Sequence, residues 1–79
     1  MPISILFFGA TAVTAGTRET EIELAEGTTA SELLEGIKAK YPGLARQKLL
    51  FAINEEYVPS DSELASGDTM AIFTPVSGG

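Results

Sequence analysis

TASELLEGIKAKYPG, residues 29–43, carries the chain's helical periodicity, and whatever surrounds it has to accept the face it buries. Thr29 followed three residues later by Glu32 has the spacing of a capping box, in which each residue serves an amide that the helix itself leaves unbonded. Leu33, Leu34, Ile37 and Tyr41 then recur at one, three and four residues, which gathers them into a single apolar stripe. Glu35, Lys38 and Lys40 fall largely off it. Pro42 and Gly43 stop the helix, because proline has no N–H for the next helical bond and glycine tolerates a left-handed exit. The expected helix runs from about Ala30 to Tyr41 and needs a sheet beneath it. Tyr41 continues the stripe and reads as a core or edge residue rather than a ligand group.

Upstream, Ile3 to Phe8 is too short for a helix and rich in β-branched and aromatic residues, which predicts a central strand. Alternation sets Ile3, Ile5 and Phe7 on one face and Ser4, Leu6 and Phe8 on the other, so both faces are mostly apolar. GATAVTAG, residues 9–16, is small and bounded by glycines and reads as a loop or hairpin connection. Arg18 to Leu24 alternates polar residues with Thr20, Ile22 and Leu24, the pattern of a strand with one wet face, and the two strands form an expected antiparallel hairpin. Downstream, Leu44 to Lys48 reads as a linker and Leu49 to Ile53 as a third strand. Asn54 to Glu56 then turn into a short edge strand, Tyr57 to Val58, ended by Pro59. Asp61 to Ala65 is expected to make one helical turn, and Gly67 and Asp68 bend the chain into a last strand, Thr69 to Phe73.

This order predicts an α+β domain with a mixed sheet of four to five strands and one main helix on one face. With Ile3, Ile5, Phe7, Met70 and Ile72 toward the helix, Leu6, Phe8, Ala71 and Phe73 fall on the open face, where Leu50 and Ala52 are candidates to join them. An exposed apolar patch of this kind marks an interaction surface.

Composition narrows the chemistry. Seventy-nine residues allow one domain, and a chain of this length buries only about 60% of its unfolded surface, which leaves little room for an enclosed active site. Hydrophobic residues make up 44% and charged residues 20%, as in ordinary globular proteins. With neither cysteine nor histidine, disulfides, thiolate nucleophiles, the commonest general base and the commonest metal ligand are all absent. The net charge of −6 comes from eleven acidic and five basic residues. That balance disfavours nucleic acid and anionic membranes, whose binding rests on cations, and favours a protein partner with a basic face. No stretch reaches the ~20 apolar residues of a membrane span, and MPISILFF lacks the charged start of a signal peptide. The cytoplasm is the expected location.

The working part is then the end of the chain. Residues 1–73 form the expected domain and residues 74–79 a tail, TPVSGG. Pro75 stiffens its root, Val76 and Ser77 follow, and Gly78 and Gly79, having no Cβ, are slender enough to pass a narrow opening. What such a tail delivers is its terminal carboxylate. A bare Gly-Gly ending also describes a frayed terminus; the residues upstream give it weight.

ILFFGA at residues 5–10, KLLFAIN at 48–54 and LASGDTMAIFTPVSGG at 64–79 together resemble the small, sulfur-carrying subunit of molybdopterin synthase. Members of that family are similar to ubiquitin in having a β-grasp fold. The resemblance implies that the carboxylate of Gly79 is adenylated by an E1-like activating enzyme using ATP with magnesium, then converted to a thiocarboxylate with sulfur from a donor protein. The tail would then enter the large synthase subunit, in a heterotetramer, and give sulfur to a cyclic pterin precursor. Such a carrier binds no cofactor or metal of its own and needs no catalytic side chains, which are expected on the large subunit. Thr74 departs from the family, which often has the first of two prolines there, and Thr11 to Ala15 lack the charges common in that loop. Two other readings use the same tail. A thiamine-type sulfur carrier would serve a different acceptor, and a ubiquitin-like modifier would join Gly79 to lysines. The full helix and the FTPVSGG ending favour the first.

Overall fold

Ile3, Ile5 and Phe7 are buried and alternate with half-buried Ser4 and Leu6, so the first strand, β1 (Pro2–Phe7), lies inside the sheet with its inner face dry. The computed structural model describes residues 1–75. β2 (Glu19–Glu23) pairs antiparallel with β1, Ile3 opposite Ile22 and Leu6 opposite Glu19. β4 (Thr69–Phe73) pairs parallel with β1 on its other side, Leu6 opposite Ala71 and Phe7 opposite Ile72. β3 (Leu50–Ile53) closes the sheet antiparallel to β4, giving the order β2-β1-β4-β3.

The main helix, α2 (Ala30–Lys40), crosses one face. Its capping box forms as the spacing predicts: the Glu32 amide donates to the Thr29 hydroxyl at 3.2 Å and the Thr29 amide to the Glu32 carboxylate at 2.9 Å. Leu33 and Ile37 are fully buried against Ile3, Ile5, Met70 and Ile72, and truncating either to alanine would cost about 2–5 kcal/mol. Tyr41 caps the helix and meets Phe7 edge-on at 5.4 Å, at the rim of the core. One helix over a mixed four-stranded sheet in this order is the ubiquitin-like β-grasp.

Three connections differ from expectation. Residues 9–16 are not a plain loop but contain a short helix, α1 (Ala10–Ala15). The glycines at its ends explain this: Gly9 (φ 58) and Gly16 (φ 75) take left-handed turns that a side chain resists, and the Gly16 amide closes the helix on the Ala12 carbonyl at 2.9 Å. The expected linker 44–48 is largely a 3-10 turn, Pro42–Arg46, started by proline and anchored by fully buried Leu44.

The segment 57–65 is neither strand nor helix. Asn54 (φ 50) and Glu55 (φ 68) make a two-residue turn of the mirror-image type, and Ile53 and Glu56 exchange both backbone bonds across it. The ladder stops there: Phe51 and Val58, the next pair that could exchange backbone bonds, share none. Pro59 to Ser62 then make a turn, the Ser62 amide donating to the Pro59 carbonyl at 3.0 Å, and the chain passes the start of α2, where the Ser60 and Ser62 carbonyls accept from the Ser31 and Ala30 amides at 2.8 and 2.9 Å. Those helical amides have no partner within the helix, so their bonds hold this segment against α2 in place of the helical turn expected at Asp61 to Ala65. Elsewhere the element bounds differ by a residue: Phe8 lies outside β1, Arg18 and Leu24 outside β2, Leu49 outside β3, and Tyr41 outside α2.

Candidate functional site

Two features meet at the C-terminal end of β4: the root of the tail and the sheet face that no helix covers. β1 and β4 run parallel, and the Phe8 amide donates to the Ile72 carbonyl at 3.0 Å, which carries the ladder one step past β1. Phe8 therefore sits beside Phe73, and Phe73 faces Leu50 on β3. One row deeper, Leu6, Ala71 and Ala52 stand side by side.

The four residues assigned to the open face, Leu6, Phe8, Ala71 and Phe73, are thus brought together. Leu6, Ala71 and Phe73 are half-buried, and Phe8 is 51% exposed. Leu50 joins them half-buried, whereas Ala52 is almost covered. Tyr57, read from the sequence as part of an edge strand, is instead 76% exposed and stands edge-on to Phe73 with ring centroids 6.3 Å apart. The turn at Asn54 and Glu55 returns it over the face. The pair Asn-Glu after an apolar run was the signal, since asparagine tolerates positive φ.

Toward the opposite end of the same face the chemistry turns polar. Ser4 lies beside Thr69 and Glu21, and Glu19 stands next to Leu6. Glu19, Glu21 and Glu23 alternate with Thr20 and Ile22, so all three carboxylates project from the open side. Glu23 lies 3.4 Å from the N-terminal amine, and no cation is paired with Glu19 or Glu21 among the described residues. Leu6, Phe8, Ala71, Thr69, Asn54 and Glu55 line a shallow groove of about 420 Å³ between these zones. A wider groove, about 750 Å³, opens on the other side of Phe8 between Gly9, Val13 and Arg18.

The polar end, where β4 begins, is framed by side-chain bonds. The Asn54 amide group donates to Asp68 at 2.9 Å and its oxygen accepts from the Thr69 amide at 3.0 Å, while Asp68 accepts from the Ala65 amide at 2.8 Å. On the tail side, Thr11 of α1 is completely buried and its hydroxyl lies 2.9 Å from the Ile72 carbonyl. Nothing in a run of small residues between glycines announces that contact.

β4 ends at Phe73, and Thr74 and Pro75 follow without regular structure. Val76, Ser77, Gly78 and Gly79, assigned to the tail, lie outside the described residues. Among the described residues there is no group of three His, Cys, Asp or Glu placed to hold a metal ion, and no helix is long and apolar enough to cross a membrane. The carboxyl of Glu32 is held below the usual carboxylate range, first by the Thr29 amide and then by its hydroxyl. That group belongs to the helix cap and is remote from the tail in sequence.

The ThiS family model matches residues 5–79. The chain is similar to the molybdopterin synthase sulfur carrier subunit of Chlamydomonas reinhardtii, at 41% identity with 100% of both chains covered. It is 33% identical to the Homo sapiens subunit of the same name, covering 98% of this chain and 93% of that one. Among solved structures it is similar to subunit 1 of a molybdopterin converting factor from Pyrococcus furiosus, with a TM-score of 0.91 at 30% identity over 96% of this chain and 99% of the other.

Proposed function

This chain belongs to the ThiS family, among the molybdopterin synthase sulfur carrier subunits, and from that premise we propose that its reactive group is the C-terminal carboxylate of Gly79. One observation carries the reading: identity to a named sulfur carrier subunit extends over the whole of both chains, and the family match runs to residue 79.

A carboxylate is a poor acyl donor. An E1-like activating enzyme, with ATP and magnesium, joins the Gly79 carboxylate to AMP and releases pyrophosphate; a sulfur nucleophile supplied by a donor protein then displaces AMP and leaves a thiocarboxylate. The large subunit of molybdopterin synthase receives the tail, and the thiocarboxylate passes its sulfur to a cyclic pterin precursor in that subunit's active site. The chain itself binds no cofactor. Its contribution is presentation: Leu6, Phe8, Ala71 and Phe73 dock the domain, Pro75 stiffens the root, and Val76, Ser77 and Gly78 lead Gly79 through a channel that side chains would block. The acidic zone beside the patch suits a partner with basic groups. The complex is a cytoplasmic heterotetramer.

Intact mass tests the reading. Incubation with the activating enzyme, ATP, magnesium and a sulfur source raises the mass by one oxygen-for-sulfur exchange, and a chain lacking Gly79 shows no such gain while melting normally. An unchanged mass, or adducts on lysines, overturns it.

A further inference from the structure

Thr11 is the one polar side chain that is fully buried among the described residues, with 0% exposure. Its hydroxyl accepts from the Phe8 amide at 3.0 Å and lies 2.7 Å from the Phe8 carbonyl and 2.9 Å from the Ile72 carbonyl, so its single proton serves one or the other. Packing alone does not call for this group. Valine has nearly the same shape, and burying a hydroxyl brings little net stability once its desolvation is counted.

Location gives the hydroxyl its meaning. Phe7 and Ile72 are the last paired residues of β1 and β4, after which β1 turns away through Gly9 at φ 58. Beyond that point, among the described residues, the Phe8 amide at 3.0 Å and the Thr11 hydroxyl at 2.9 Å are the groups within hydrogen-bond reach of the Ile72 carbonyl on this side. A peptide group is planar, so fixing that carbonyl fixes the plane through which the chain passes into Phe73, Thr74 and Pro75. The six residues from Thr74 to Gly79 span at most about 20 Å when extended, and a tilt of about 15° at the root moves the tip of such a stalk by about 5 Å.

Resting on the sulfur carrier reading, we infer that Thr11 is a positioning residue whose hydroxyl sets the direction in which the tail leaves the sheet, and so whether the Gly79 thiocarboxylate arrives in register with the acceptor. Thr11 is fully buried and is not itself one of the open-face residues, so the loss of its hydroxyl is expected in the transfer step more than in docking.

The test uses the thiocarboxylated full-length chain, the large subunit and the cyclic pterin precursor. Thr11→Val is expected to bind the large subunit within about twofold of the unaltered chain, while single-turnover sulfur transfer slows on the order of a hundredfold, the loss that about 1 Å of misplacement already produces. Thr11→Ser, which keeps the hydroxyl, restores the rate. Should Thr11→Val fold poorly, Thr11→Ser against Thr11→Ala isolates the same hydroxyl with the methyl absent from both. Transfer by Thr11→Val at the normal rate overturns the inference, as does an equal loss in Thr11→Ser and Thr11→Val, or a loss expressed wholly as weaker binding. An unaltered chain that binds and transfers nothing instead defeats the functional reading, and the inference with it.

Discussion

Glu55 occupies a left-handed conformation (φ 68) next to Asn54 (φ 50), in a turn whose preferred second residue is glycine. A side chain in that region costs about 1–2 kcal/mol relative to glycine. Glu55→Gly should therefore raise stability by about 1 kcal/mol in urea unfolding, less any entropy that glycine adds to the unfolded chain. The carboxylate that keeps this strain lies on the rim of the open-face groove, where strained residues often serve binding.

Glu32 gives a pH-dependent counterpart. Its carboxyl is held below the usual range by the Thr29 amide and hydroxyl, so the folded state favours the ionised form. That contribution is present above the carboxyl's unfolded pKa and is lost as pH falls through the folded value. Glu32→Ala should accordingly be less stable than the unaltered chain at neutral pH, with the gap closing in acid; a gap that is constant with pH would refute the cap's electrostatic role. Thr29→Ala, which removes the hydroxyl, should cost about 1 kcal/mol. The cap was legible because its partners are three residues apart. The contact of Thr11 with β4 was not, because the Ile72 carbonyl is 61 positions away.

Elements with a clear period were readable, and those defined by what they pack against were not. Leu33, Leu34, Ile37 and Tyr41 announce α2 by spacing alone. By contrast, α1 has six residues, too few for a hydrophobic period to show. It is held in place by neighbours: Thr14 accepts from the Gln47 side chain just past the 3-10 turn, and a Cβ on Gly43 would come within 2.7 Å of the Thr14 methyl. Tyr57 and Val58 carry a strand's composition, yet pairing ends at the single Ile53–Glu56 bridge, after which the chain turns at Pro59 to Ser62. The tightness between α1 and the 3-10 turn is testable. Gly43→Ala should destabilise by roughly 1 kcal/mol through overpacking, and Thr14→Ser, which removes the obstructing methyl and keeps the hydroxyl, should recover the loss. If Gly43→Ala instead stabilises the chain, the two elements are more loosely packed than the geometry indicates.

In the molecule as a whole, three carboxylates gather on one strand of the open face. Of the five cations, Lys38 and Lys40 belong to α2, Arg46 ends the 3-10 turn, Lys48 follows it and Arg18 lines the groove on the other side of Phe8, while Glu19, Glu21 and Glu23 project from the open side of β2. The tail leaves from the apolar end of that open face. Alternation made the apolar half visible in the sequence, but its zoning was hidden, because which row a glutamate joins depends on a cross-strand register that no local pattern fixes. The two zones have separable consequences for a partner that receives the tail. Phe8 is 51% exposed, so Phe8→Asp should scarcely change the melting temperature yet weaken binding of the large subunit by about 2 kcal/mol, roughly thirtyfold in Kd. That loss should appear mainly in dissociation. Glu19 and Glu21 flank the patch without filling it, and charges so placed act on encounter more than on the final contact. Glu19→Lys with Glu21→Lys should therefore slow association on the order of tenfold at low salt, with the difference shrinking as salt screens the field. Stopped-flow association across a salt series decides it: a rate unaffected by reversing both charges means the partner meets this face through apolar contacts alone.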